Sequence, residues 1–203
     1  MSDIKTGLII LAAGNSSRMG EPKQLLPFEG KTFLQCAIDA ALGSQVTSKV
    51  VVLGADKDEI KKTFRADTIP VIHNQDWEKG MASTMQKGLA YLTKYQVPDQ
   101  VIILVCDQPF VDSAILDSLI ESQKVTGKGI VACRYSETLG VPALFTKQYF
   151  QEMLALKSSE GAKKVIFAHL DDVAEVDFPK GSVDIDTYEE YEQLLSTISK
   201  KKK

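Results

Sequence analysis

Short apolar runs, continuous rather than alternating, constrain this chain more than any other feature. Gly7–Ala13, Lys49–Gly54, Ile69–His73, Gln100–Cys106 and Gly129–Cys133 read as strands covered on both faces, which is the pattern of a parallel sheet. Between them lie stretches with helical spacing. Thr32–Leu42 carries Phe33, Leu34, Ala37, Ile38, Ala41 and Leu42 on one face, followed by Gly43 as a stop. Lys57–Arg65, Ser83–Tyr95, Ser113–Lys124 and Lys147–Leu156 are further helices on the same grounds. The last, Tyr188–Ser196, is introduced by Thr187 with Glu190 three residues on, a capping box. Strands alternating with helices predict right-handed βαβ units and a three-layer α/β/α sandwich with a mostly parallel, Rossmann-like sheet. Ligands in such folds sit beyond the carboxyl ends of the strands.

The length of 203 residues suits one α/β domain, and no Pro/Gly/Ser-rich linker or repeat divides it. Residues 1–198 are expected to form that domain, and 199–203, ending in a lysine run, a solvated and disordered tail. The net charge of −3 gives no global basic field to draw the chain onto nucleic acid or an anionic membrane. An anionic ligand therefore needs a local positive site. Cys36, Cys106 and Cys133 lie far apart, with no Cys-x-x-Cys spacing and only His73 and His169 to help, which argues against zinc. No segment approaches the roughly 20 apolar residues that span a bilayer, and no basic region precedes a long apolar stretch. A cytoplasmic location is expected.

Gly14-Asn-Ser-Ser-Arg18-Met-Gly20 follows the first strand. Small, flexible residues let backbone N–H groups converge on an anion. Arg18 adds a fork of donors and Lys23 a compact charge, which together supply the local positive site. The spacing matches neither G-x-x-x-x-G-K-[ST] nor G-x-G-x-x-G.

Asp107 stands where the buried run Gln100–Cys106 ends. A carboxylate there costs desolvation energy unless paired, hydrogen-bonded or bound to a cation. A turn or helix-capping role before Pro109 is the alternative. Asp184 and Asp186 alternate with Ile185, so an extended backbone puts both on one face.

The segment LAAGNSSRMGEPKQLLPFEGKTFL resembles the opening of the MobA-like nucleotidyltransferase family, most closely its molybdenum cofactor cytidylyltransferases. The wider superfamily, whose fold is that of the nucleotide-diphospho-sugar transferases, shares L-A-[AG]-G-x-x-x-R-M. The added P-K-Q-L-L-P-F-x-G narrows the resemblance. It implies that Leu11, Ala12, Ala13, Gly14, Arg18 and Lys23 hold a nucleoside triphosphate. The triplet Asp107-Gln-Pro109 resembles the family's metal motif, which makes Asp107 a magnesium ligand. Val183-Asp184-Ile-Asp186-Thr187 is similar to the stretch that brings the second ligand, with Asp184 the first choice and Asp186 either a ligand or a helix cap. Tyr188 replaces the family's proline there.

The run His73-Asn74-Gln-Asp-Trp77-Glu-Lys-Gly80-Met-Ala-Ser83 resembles N-x-x-W-x-x-G-M-x-x-S, which implies that Asn74, Gly80 and Ser83 lie at the nucleotide, with Ser83 also capping the helix. Trp77 is equally read as a packed surface aromatic, and His73 is left out of the chemistry. Gly140-Val-Pro142-Ala-Leu-Phe145 is similar to the strand that lines the acceptor pocket. Ser159-Glu160-Gly161-Ala162-Lys163 resembles a G-D-x-G-A-R segment, which implies that Gly161 and Lys163 bind the acceptor, although Ser158, Ser159 and Lys163 stand in place of the family's Gly, Asp and Arg.

The resemblance implies CMP transfer from CTP to the phosphate of a molybdopterin-type cofactor, with pyrophosphate released and Mg²⁺ required. LAAG rather than LAGG favours CTP over GTP. Arg18, Lys23 and Asp107 are the expected catalytic charges, and a molybdenum hydroxylase or an insertion chaperone the expected protein partner. Three alternatives stand beside this reading: a GTP-using molybdenum cofactor guanylyltransferase, the same chemistry on a sugar or alditol phosphate, and a non-catalytic nucleotide-binding module.

Overall fold

The computed structural model describes residues 4–17, 19–64, 69–95, 97–158 and 160–201. Its strands are β1 (Thr6–Ala12), β2 (Pro27–Phe28), β3 (Lys31–Thr32), β4 (Ser48–Leu53), β5 (Val71–His73), β6 (Gln100–Val105), β7 (Ile130–Tyr135), β8 (Thr138–Thr146) and β9 (Val173–Asp177). The helices are α1 (Phe33–Gly43), α2 (Lys57–Ile60), α3 (Met81–Tyr95), α4 (Ser113–Thr126), α5 (Phe150–Ala155), α6 (Ala162–Ala168) and α7 (Tyr188–Lys201).

Seven strands form one sheet in the order β5-β4-β1-β6-β8-β7-β9, while β2 and β3 make a separate small hairpin. The pairs β4–β5, β1–β4, β1–β6 and β7–β9 are parallel. Only β8 runs against its neighbours, β6 and β7. The expected three-layer, mostly parallel α/β sandwich is therefore the fold observed.

Alternation sorts each strand between two cores. Leu8, Ile10 and Ala12 of β1 pack with Leu34 and Ile38 of α1 and Leu116 and Leu119 of α4. Ile9 and Leu11 face the other way, onto Met85 and Leu89 of α3, Met153 of α5 and Val165 of α6. A third cluster of Leu26, Phe28, Phe33, Ile185, Tyr191 and Leu194 docks α7 against the β2–β3 hairpin and the start of α1. Caps set the helix starts. Thr32 Oγ1 accepts from Gln35 N–H at 3.1 Å to begin α1, and Asp112 Oδ1 from Ile115 N–H at 3.0 Å to begin α4.

Several expected boundaries need correction. The Lys57–Arg65 helix stops at Ile60, because the Thr63 hydroxyl donates back to the Ile60 carbonyl at 2.8 Å and closes the turn; Arg65 lies outside the described residues. Lys147–Leu156 opens as a 3₁₀ turn over Lys147–Tyr149 before α5. The last helix runs to Lys201 rather than ending at Ser196. Lysine is a good helix former and its charge suits a helix C-terminus. Lys202 and Lys203 lie outside the described residues. No helix of the described residues is long and apolar enough to cross a membrane.

Helix α3 lies close on the sheet at Gly88. A Cβ there would sit 2.4 Å from Ile9 Cγ2 and 3.1 Å from Val52 Cγ2. Valine is intrinsically the better helix residue by a few tenths of a kcal/mol, but overpacking typically costs about 1–3 kcal/mol. Gly88→Val is thus expected to lower unfolding stability by about 1–2 kcal/mol in urea titrations. An unchanged or raised midpoint would contradict this packing.

Candidate active site

Strands β1 and β6 pair with Leu11 opposite Val105. The chain that leaves β1 and the chain that leaves β6 therefore emerge together at the carboxyl edge of the sheet. The first carries Ala13, Gly14 and Lys23, and the second carries Asp107.

The loop after β1 is fastened from within. Gln24, 1% exposed, donates from Nε2 to the carbonyls of Ala12 at 3.0 Å and Gly14 at 2.9 Å. Ser16 takes a left-handed φ of 50° and its Oγ accepts from Lys23 N–H at 2.8 Å. Lys23 then opens a short 3₁₀ turn, Lys23–Leu25. The backbone around Lys23 is fixed in this way, while its four-carbon arm projects into the site.

The segment between β9 and α7 is drawn to Asp107 by two contacts. Gln108 Nε2 donates to the Gly181 carbonyl at 2.9 Å, and Ile185 N–H donates to the Asp107 carbonyl at 3.2 Å. Ile185 is buried in the third apolar cluster. Its two flanking aspartates project the other way, as alternation requires. Asp107, Asp184 and Asp186 each offer a carboxylate oxygen within 4.8 Å of the others. The helix start is capped by a different residue: Thr187 Oγ1 accepts from Glu190 N–H at 3.3 Å, and the Glu190 carboxylate accepts from Asp186 and Thr187 N–H at 2.8 and 2.9 Å. The capping box is as expected, and the Asp186 side chain is thereby left to the site.

Lys23 binds the cluster. Its ammonium pairs with Asp107 Oδ2 and donates to Asp186 Oδ1 at 3.0 Å. Burial works against the lysine's charge, but Asp107 and then Asp186 outweigh it and hold the ammonium's pKa above its ordinary value. At Asp184, desolvation and then the charge of Asp107 push the carboxyl up to about 6, with Lys23 acting in the opposite direction. Asp107 Oδ1 is buried without a hydrogen-bond partner. Three carboxylates crowded together with one orphaned buried oxygen fit a divalent cation.

Beside the cluster lies a cavity of about 210 Å³ walled by the loop from Leu11 to Gly14, Lys23, Gln24, Trp77, Gly80, Thr84 and Asp107. Trp77 lies over Gly54, where a Cβ would meet the Trp77 Cβ at 2.5 Å and the Ala13 carbonyl at 2.4 Å. Gly80 has φ of 99° and passes against the Ser158 carbonyl, so glycine is required there on both counts. A second cavity of about 660 Å³, lined by Phe110, Lys180 and Leu194, shares Asp184 with the cluster.

The structure thus gathers Leu11, Ala12, Ala13, Gly14, Lys23, Gly80, Asp107, Asp184 and Asp186 at one edge. Arg18 lies outside the described residues. Asn74 and Ser83 need correcting. Asn74 is 2% exposed and donates to Ser83 Oγ at 2.9 Å and Thr84 Oγ1 at 3.1 Å, and the Ser83 hydroxyl bonds back to the Asp76 and Gly80 carbonyls. Both brace the wall behind the cavity, and Ser83 sits inside the first turn of α3 rather than capping it.

Phe145 is corrected as well. It is fully buried and pairs with Val101 and Ile130, at the end of the sheet opposite Asp107. Pro142 is buried in the same strand. The part of β8 nearer the site is Gly140, where a Cβ would meet Tyr135 Oη at 2.2 Å and Lys163 Cε at 2.9 Å. Lys163 Nζ lies 6.0 Å from the Tyr135 ring centroid, and Gly161 approaches Met81. Sequence reasoning missed Tyr135 and the role of Gln24. Tyr135 lies past the apolar run that ends at Cys133, and Gln24 stands in its motif with no sequence neighbour to suggest a role.

The MobA-like NTP transferase domain model matches residues 8–173. The bifunctional protein GlmU of Bifidobacterium longum (strain NCC 2705) is 34% identical over 125 residues, 60% of this chain and 27% of that protein. The chain therefore spans about a quarter of the length of that relative. The purine catabolism protein PucB of Bacillus subtilis (strain 168) is 25% identical over 207 residues, covering 94% of this chain and 96% of PucB. Among solved structures, Rv0371c from Mycobacterium tuberculosis H37Rv superposes with a TM-score of 0.84 at 28% identity over 97% of this chain and 100% of that one. The same protein has been solved in complex with manganese, at a TM-score of 0.79 and 26% identity over 95% and 98% of the two chains. With most of its length matched, the chain belongs to the MobA-like NTP transferase family.

Proposed function

We propose that this chain transfers CMP from CTP to the phosphate of a molybdopterin-type cofactor and releases pyrophosphate, with Mg²⁺ as its metal. The observation that carries the reading is the convergence of Asp107, Asp184, Asp186 and Lys23 beside the loop after β1. The acceptor is inferred from the resemblance of the Leu11–Leu34 segment to molybdenum cofactor cytidylyltransferases. Rv0371c, a similar fold solved with manganese, supports a divalent metal.

Asp107, Asp184 and Asp186 would hold the metal, which when bound supplies positive charge against the phosphates. The remaining work falls to the chain's own groups. The 210 Å³ cavity has room for a base rather than a whole nucleotide, so the phosphates would lie along the loop. There the backbone from Ala13 to Gly14, Arg18 and Lys23 meet them. An oxygen of the acceptor phosphate attacks the α-phosphorus as the bond from that phosphorus to the bridging oxygen breaks, and pyrophosphate leaves with that oxygen. The acceptor phosphate is already ionised at neutral pH, so no general base is required. Catalysis then consists of alignment and charge stabilisation. Tyr135 and Lys163 offer a ring and a cation on the acceptor side. Burial first, with the nearby charges of Cys133, Asp184 and Asp107 adding to it, raises the Tyr135 pKa, and its hydroxyl donates to the Val141 carbonyl at 3.1 Å.

Pyrophosphate release measured with CTP, GTP and ATP in the presence of acceptor and Mg²⁺ tests the reading, with CTP expected to dominate. Product from GTP alone would replace the base assignment. Turnover from a sugar or alditol phosphate but none from the pterin would replace the acceptor. Asp107→Asn is expected to reduce turnover by about 10²-fold or more; turnover within tenfold of the parent would take Asp107 out of the catalytic metal site, and no pyrophosphate release by the parent with any nucleotide would point to a non-catalytic module. Lys163→Ala is expected to raise the acceptor KM about tenfold while the CTP KM stays within about twofold. A change confined to CTP would place Lys163 on the nucleotide side instead.

A further inference from the structure

The carboxylate cluster already contains a cation of its own. The Lys23 ammonium pairs with Asp107 and lies 3.0 Å from Asp186 Oδ1. These are two of the three residues whose oxygens gather within 4.8 Å. Asp107 uses one oxygen for Lys23 and leaves the other buried and unpartnered. A divalent ion on that second oxygen would share a single carboxylate with an ammonium. At such a separation, in the reduced dielectric of a partly buried site, the two cations repel strongly. The carboxylates therefore suit one cation or the other, and not both at full strength.

Lys23 also has somewhere else to go. Its backbone is fixed by the Ser16 bond and the 3₁₀ turn, but its side chain lines the same cavity as Ala12, Ala13 and Gly14. Rotation about its own side-chain bonds would carry the ammonium from the carboxylates toward the loop without moving the backbone.

We propose that Lys23 acts as a resident counter-cation that holds Asp107 and Asp186 until an anionic phosphate ligand draws it toward the loop, so that metal binding and triphosphate binding favour each other. The hand-over rests on the nucleotidyl-transfer reading above. By linkage, each ligand then raises the affinity for the other by the same factor. A protein without nucleotide should hold a divalent ion poorly, because Lys23 competes for its ligands. Removing the ammonium should strengthen metal binding while weakening nucleotide binding, the reverse of what a plain metal-supporting residue would do.

Mn²⁺ titration followed by electron paramagnetic resonance, on the full chain without nucleotide or acceptor, tests the competition. Lys23→Met is expected to bind Mn²⁺ at least tenfold more tightly than the parent, and Lys23→Arg to stay within threefold of it. Adding Asp107→Asn to Lys23→Met should abolish the gain and so locate the ion. Equal or weaker Mn²⁺ binding by a folded Lys23→Met protein overturns the proposal, and Lys23→Gln repeats the test if the methionine variant does not fold. Metal-free CTP in EDTA, followed by calorimetry, should bind Lys23→Met several-fold more weakly, and unchanged binding overturns the hand-over. The manganese experiment uses no nucleotide or acceptor. A failed pyrophosphate assay therefore sinks the nucleotidyl-transfer reading without deciding the competition, and the manganese result does the converse.

Discussion

Three carboxylates held within 4.8 Å of one another cannot all stay charged without a cation among them. That constraint organises the carboxyl edge of the sheet. Lys23 meets it directly, while burial first and then the charge of Asp107 push the Asp184 carboxyl up to about 6. A fold selected for stability alone has a simpler solution, since replacing such a cluster with well-packed apolar side chains is often neutral or stabilising. Three aspartates at this position accord with the proposed nucleotidyl-transfer reading, whose ligands are highly charged.

Distant parts of the chain build this edge by ordinary means. Parallel pairing of β1 with β6 brings the loop and Asp107 out together. Ile185 sinks into the apolar cluster under α7 and, by alternation, turns Asp184 and Asp186 toward Asp107. Gln24 fastens the loop by donating to the carbonyls of Ala12 and Gly14. Hydrophobic burial thus aims the carboxylates, and hydrogen bonds set the loop.

Most of the fold was legible because buried parallel strands leave continuous apolar runs, as in Gln100–Val105. The antiparallel reversal was less visible. The turn between β7 and β8 is Ser136-Glu137, both at positive φ, where Asn-Gly or Asp-Gly would have announced a hairpin. Helix α6 and strand β9 escaped notice because neither has a strong period or a flanking stop. At the site, the motif residues at strand ends lie together, since strand ends converge by topology. The misplacements were Asn74, Ser83 and Phe145. Asn74 and Ser83 turn their side chains to hydrogen bonds behind the cavity, and Phe145 is buried at the far end of the sheet, both of which depend on three-dimensional neighbours that spacing alone does not reveal.

The central claim is that Asp107, Asp184 and Asp186 together form the divalent-metal site. Anomalous diffraction from crystals grown with Mn²⁺ and a non-hydrolysable CTP analogue tests it most directly. The account predicts a manganese peak in contact with carboxylate oxygens of Asp107 and at least one of Asp184 and Asp186, with Lys23 Nζ moved away from Asp107. A triphosphate bound with no manganese among these three residues, or manganese held elsewhere while Lys23 still pairs with Asp107, would contradict it.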